Sequence, residues 1–129
     1  ILAFSTWPKE LFMGKFFKLI EGFSQPLPPE VASPVLWGDM VVIEDRLKDH
    51  FNQIEFGRDT MFAPTMSPAH MLKLFEKNAG PLANLVKALA DDPTKLSNLR
   101  NAALVLIEKF FSNNFLRQDF LMTRCIKKV

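Results

Sequence analysis

Two histidines, one cysteine and a few acids beside turns are the residues of this 129-residue chain best suited to chemistry. His50 and His70 lie twenty residues apart, with no cysteine near either. A zinc centre wants three or four clustered ligands, so no metal site is expected. A serine-hydrolase elbow needs a G-x-S-x-G turn, and none exists here. Asp39 follows Trp37 and Gly38 and precedes an apolar-periodic stretch. There a carboxylate can act as a base or accept from free backbone N–H groups; the helix cap is the simpler reading. Cys125 is the only cysteine, which excludes an internal disulfide and a thiolate metal cluster. A lone thiol fits a reducing, cytoplasmic setting.

Other candidates are apolar. Ser5, Thr6 and Trp7 close an apolar run at the start of the chain. In open α/β sheets ligands collect outside the carboxyl ends of strands, which makes Trp7 either a pocket residue or a packing residue for the next helix. Phe12, Met13, Phe16 and Phe17 cover more than one helical stripe. A helix greasy on two faces is deeply buried or touches an apolar ligand, and burial is the leading reading.

The elements that must position these residues follow from periodicity. Residues 1–7 read as a nearly continuous apolar strand, of the kind buried on both faces of a parallel sheet. Pro8 suits the first turn of a helix, whose apolar face is Phe12, Phe16, Leu19, Ile20 and Phe23. Residues 25–34 hold four prolines and form an extended crossing loop. A short helix is expected over 40–47 behind the Asp39 cap. A strand is expected over 51–64, with Ile54, Phe56, Arg58, Thr60 and Phe62 on one face and a bulge at Gly57. Ser67–Pro68 starts a helix to Asn78, with Gly80 as its stop. Pro81 opens a helix to Ala90, and Asp92–Pro93 caps one over 94–112. Asn113 and Asn114 turn the chain into a last strand over 115–127. There Leu116, Gln118, Phe120, Met122, Arg124 and Ile126 share a face.

Composition narrows the class. Apolar residues make up 48% of the chain, which argues against disorder. The net charge of +2 is scattered, so no nucleic-acid footprint is expected. No apolar run nears the roughly 20 residues of a membrane span. The opening residues lack the basic leader of a secretory signal. The length fits one domain over 1–129.

Three stretches, taken together, resemble class I S-adenosylmethionine-dependent methyltransferases, in particular the small enzymes of the ubiquinone/menaquinone-biosynthesis type. LAFSTWPKELFMGKFFKLI resembles the family's fifth strand and its helix. PPEVASPVLWGDMVVIEDRL resembles its proline-rich loop, "WGD" triplet and following helix. FGRDTMFAPTMSPAHMLKLFEKNAGPLANLVKALADDP resembles the sixth strand, an "SP" helix start and a "GP" break. FLRQDFLMTRCIKK then takes the place of the seventh strand.

The resemblance implies an α/β fold with about five helices and a partial Rossmann-like sheet. The seventh strand inserts antiparallel between the fifth and sixth. It also implies a small-molecule methyl acceptor, with Trp7, Phe12, Phe16 and Trp37 as candidate substrate-binding residues. The family's glycine-rich cofactor loop and ribose-binding acid belong to earlier strands. The five glycines here are dispersed, so no residue of this chain is assigned to S-adenosylmethionine and the chain alone is expected not to bind it. The chain therefore reads as the C-terminal part of a longer enzyme, inactive in isolation. Its first strand, missing a neighbour, is expected to drive self-association. The alternative is a Phe-rich module for an apolar ligand or protein partner, without catalysis.

Overall fold

The computed structural model describes all residues from Ile1 to Val129. The order is β1 (Leu2–Thr6), α1 (Phe12–Phe23), a 3-10 turn (Pro34–Gly38), α2 (Met40–Leu47), β2 (Phe51–Pro64), α3 (Pro68–Asn78), α4 (Gly80–Ala88), α5 (Pro93–Phe110), β3 (Phe111–Ser112) and β4 (Phe115–Lys127). This is the mixed α/β chain with five α-helices that the pattern predicts.

The last long strand is the central one. β4 lies between β1 and β2 and is antiparallel to both, so β1 and β2 point the same way. Short β3 also pairs with β4, through a turn in which Asn113 and Asn114 both take positive φ (50° and 61°). Asparagine tolerates that region better than most residues, and two successive left-handed residues match the twist of a tight hairpin.

Helices cover the sheet unevenly. Along β4, Leu116 and Gln118 are buried on one face, whereas Leu121, Thr123 and Cys125 are buried on the other. The first face meets the main core. There Phe12, Phe16 and Ile20 of α1 pack with Met71, Leu82, Leu85, Leu99, Ala103 and Ile107. The second face meets a smaller cluster near Ile43, where α2 packs on β2. An Arg100–Glu76 pair ties α5 to α3, with Nε–Oε1 2.7 Å and Nη2–Oε2 3.1 Å.

Helix starts follow the expected chemistry. Asp39 accepts from the N–H of Val41, Ser67 from His70 and Asp92 from Lys95. Other boundaries differ. Pro8 does not enter α1: Leu11 N–H bonds the Pro8 carbonyl in a turn, and the helix begins at Phe12. Gly80 does not stop α3; Ala79 takes extended backbone there and Gly80 opens α4. α5 ends at Phe110 because Phe111 and Ser112 join the sheet. β2 is irregular between Phe51 and Gln53, with regular pairing at Gly57.

β1 corrects a further expectation. It is an edge strand with one antiparallel neighbour, and Leu2, Ala3 and Ser5 are exposed. It is not buried on both faces: Leu2 on one face and Ala3 and Ser5 on the other are open, and no strand of the chain pairs with its outer edge.

Candidate functional site at the carboxyl end of β1

The chain leaving β1 is clamped between two glycines. A Cβ on Gly14 of α1 would lie 2.2 Å from the Pro8 carbonyl oxygen, and one on Gly38 would lie 1.9 Å from that of Trp7. Both distances are below any real carbon–oxygen contact, so only glycine lets the helix and the 3-10 turn close on residues 7–9. Pro8 is buried in the clamp. Lys9 Nζ then reaches Asp39 Oδ2 at 3.0 Å, joining Trp7–Pro8–Lys9 to Trp37–Gly38–Asp39.

The structure thus gathers Trp7, Trp37 and Asp39 at one junction. Trp7 is half-buried. Trp37, 39% exposed, meets the Phe4 ring edge-on at 5.9 Å and carries the Arg46 guanidinium 4.5 Å from its centroid. Such a cation over an indole face is favourable and holds the ring in place. The hydrogen bond from Lys9 lowers the Asp39 pKa, against partial desolvation, and the Val41 N–H adds to the lowering. A carboxylate so occupied is a cap and a clamp, and a poor proton acceptor.

Phe12 and Phe16 are not at that junction. Both are closed inside the main core, with ring centroids 5.6 Å apart. Phe75 lies 5.0 Å from Phe16, and Phe110 lies 5.5 Å from Phe12. As residues of an open binding wall they are corrected to core residues. Neither they nor the two tryptophans line any of the larger surface grooves.

The histidines also stay apart. His50 is exposed, and its carbonyl receives the Lys128 N–H. His70 sits with Nδ1 3.0 Å from Thr65 Oγ1, beside the start of α3. No group of three or more His, Cys, Asp or Glu side chains is placed to hold a metal ion. Cys125 is fully buried, and desolvation raises its pKa, which keeps the thiol protonated and unreactive.

A groove with more chemistry lies just past β1. β1 ends opposite Leu121, but β2 and β4 continue together for six further residue pairs, from Asp59–Phe120 to Pro64–Phe115. On the face that β1 no longer flanks, Thr60 stands opposite Asp119 and Phe62 opposite Arg117. Thr60 Oγ1 donates to Asp119 Oδ1 at 2.6 Å. Arg117 grips the same carboxylate through Nε at 3.0 Å and Nη2 at 2.9 Å. Burial works against the Asp119 charge, but these bonds from Arg117 and Thr60 outweigh it and lower its pKa.

Two adjoining depressions share Leu11, Arg117 and Asp119 there, one of about 560 Å³ and one of about 370 Å³. Sequence reasoning missed this site. It placed Thr60 and Phe62 on one face, yet for the last strand it followed only the opposite face, that of Leu116 and Gln118. A polar Arg117–Asp119 step beside exposed Phe115 was the available signal.

No family model matches this chain, and no curated protein is significantly similar to it.

Proposed function

We propose that this chain is the C-terminal, acceptor-side portion of an S-adenosylmethionine-dependent methyltransferase and is inactive by itself. One observation carries the reading: a final strand inserted antiparallel between two strands that point the same way, in the order β1-β4-β2. That is the order implied by the resemblance for the fifth, seventh and sixth strands. The clamped WPK and WGD segments support it, because they meet at the carboxyl end of β1, where ligands collect in open α/β sheets.

The residues present do not fit the cofactor. The loop after β1 carries buried Pro8 and no glycine, and the link from β2 to α3 is Thr65–Met66–Ser67. Neither offers the close backbone approach that a nucleotide needs. In this reading the cofactor is held by earlier strands of a cytoplasmic parent enzyme. The present residues shape the acceptor side, where the protein's contribution is positioning.

Two measurements test the reading. Calorimetric titration of the chain with S-adenosylmethionine should give no saturable heat; micromolar binding would contradict it. The parent reading frame upstream of Ile1 should encode a glycine-rich strand-to-helix loop, and its absence there would remove the basis for the assignment. The open outer edge of β1 adds a corollary. It carries no charged residue or proline to blunt it, so the isolated chain should self-associate through it. Light scattering that finds a monomer at micromolar concentration would count against that.

The non-catalytic reading has one observation in its favour. A groove of about 480 Å³ lies between the end of α1 and the proline loop, lined by Phe17, Ile20, Pro26, Leu27 and Pro34, with Pro81 beside them. Saturable uptake of a fatty-acid probe there, together with a parent frame lacking the glycine-rich loop, would favour it.

A further inference from the structure

The exposed surface past the end of β1 combines open aromatic rings with a fixed pair of charges. Phe62 is 58% exposed and Phe115 43%, with their rings edge-to-face at 6.1 Å. They flank the larger depression, whose rim also carries Lys109, Phe111 and Arg117. Two adjacent rings open to water at a sheet end form an apolar floor that gains by being covered.

The charges around that floor are arranged, not merely present. Asp119, with a side chain only 13% exposed, fixes the Arg117 guanidinium through Nε and Nη2, and Thr60 fixes Asp119. Arg117 Nη1 makes no hydrogen bond within the chain. Lys109 forms no ion pair. The Asp119 charge is matched by Arg117, so the lining of the larger depression keeps one positive charge in surplus. A planar guanidinium held in place is preorganised for a carboxylate.

We propose that this groove binds a small aromatic carboxylate, its ring on Phe62 and Phe115 and its anionic group toward Lys109 and the free edge of Arg117. The volume of about 560 Å³ suits a ligand of that class. The surplus of positive charge disfavours a cationic aromatic. A single-stranded nucleic acid would need a basic track beyond the groove, whereas the cations lining this depression are Lys109 and Arg117, with Asp119 beside them. The proposal is independent of the methyltransferase reading, because every group it uses belongs to this chain.

The test is a titration of the isotope-labelled 129-residue chain with naphthoate, followed by amide chemical shifts. Saturable shifts should cluster at Phe62, Lys109, Phe115 and Arg117. Neutral naphthamide and non-aromatic cyclohexanecarboxylate should each bind about tenfold more weakly, the usual scale for losing one charge-assisted contact or one stacking surface. Lys109→Gln should weaken naphthoate about tenfold and leave naphthamide unchanged, while Phe115→Ala should weaken both. Both side chains are exposed, so neither variant removes core packing. The proposal is overturned by shifts that do not saturate in the millimolar range, by shifts centred elsewhere, or by equal affinity for naphthoate and naphthamide. It is also overturned if the same amides are already broadened by a second copy of the chain seated on the rings.

Discussion

Each face of the sheet has a buried part, but the two parts are held by different means. On the Leu116 face, α1, α3, α4 and α5 close over an apolar core rich in phenylalanine, and Gln118 is the buried polar side chain that β4 adds on that side. On the Cys125 face, the buried set includes Leu121 and Ile43 but also Thr123, and the hydroxyls of Thr6 and Thr123 have no hydrogen-bond partner. The first face is stabilised by volume. The second is a thin layer under α2 and Trp37, held in position by the glycine clamp and the Lys9–Asp39 pair. Burial alone therefore does not indicate which part of this molecule is rigid through packing and which through a few specific contacts.

Substitutions can break or sharpen that contrast. Phe12→Ala should have the largest effect, about 3–5 kcal/mol of lost stability by urea unfolding, because the ring lies among Phe16, Phe75 and Phe110 and leaves a cavity that cannot collapse. Ile43→Ala, equally buried but on the thinner face, should cost less, roughly 2–3 kcal/mol, since α2 can settle onto β2. Equal losses from the two would erase the distinction.

Thr123→Val should change sign. It removes a buried hydroxyl without a partner while keeping the shape of the side chain, and should stabilise by about 1 kcal/mol. A destabilised variant would show that the hydroxyl is satisfied in solution and that the second face is better built than it looks.

Asp39→Asn probes the clamp through pH and should be the smallest effect. Lys9 holds the Asp39 carboxyl below its ordinary range, so the stability it adds is fully present above about pH 4 and is lost as pH falls through the lower folded value. The variant keeps a capping oxygen but loses this acid-sensitive part. Its stability should fall less than that of the parent chain between about pH 6 and about pH 3. Parallel declines would remove Asp39 from the acid response.

Much of this arrangement was legible before any coordinates, for local reasons. Asp39, Ser67 and Asp92 announce helix starts because a short acceptor before an apolar period has a backbone partner two or three residues on. Asn113–Asn114 announces a turn because few other residues accept two positive φ values in succession. What stayed hidden depends on partners far along the chain. The Pro8 turn is set by Gly14 and Gly38 closing on it, and Gly38 lies thirty positions away. β1 reads as interior because its composition is apolar, whereas its exposure depends on which strands lie beside it. The Asp119 site needs the register that sets Thr60 against it; alternation alone says which residues share a face of one strand, not which strand they meet.

The placement of β4 also orders the making of the protein. The strand that both β1 and β2 pair with follows both of them in the chain, so neither can complete a ladder with it until β4 has also been synthesised. The α1–α5 core can gather earlier, while two strands with unsatisfied backbones wait beside it. Folding that depends on long-range pairing of this kind is slow and exposes sticky intermediates. Yield in a cell should therefore respond to chaperone supply and to translation speed over the final thirteen-residue strand.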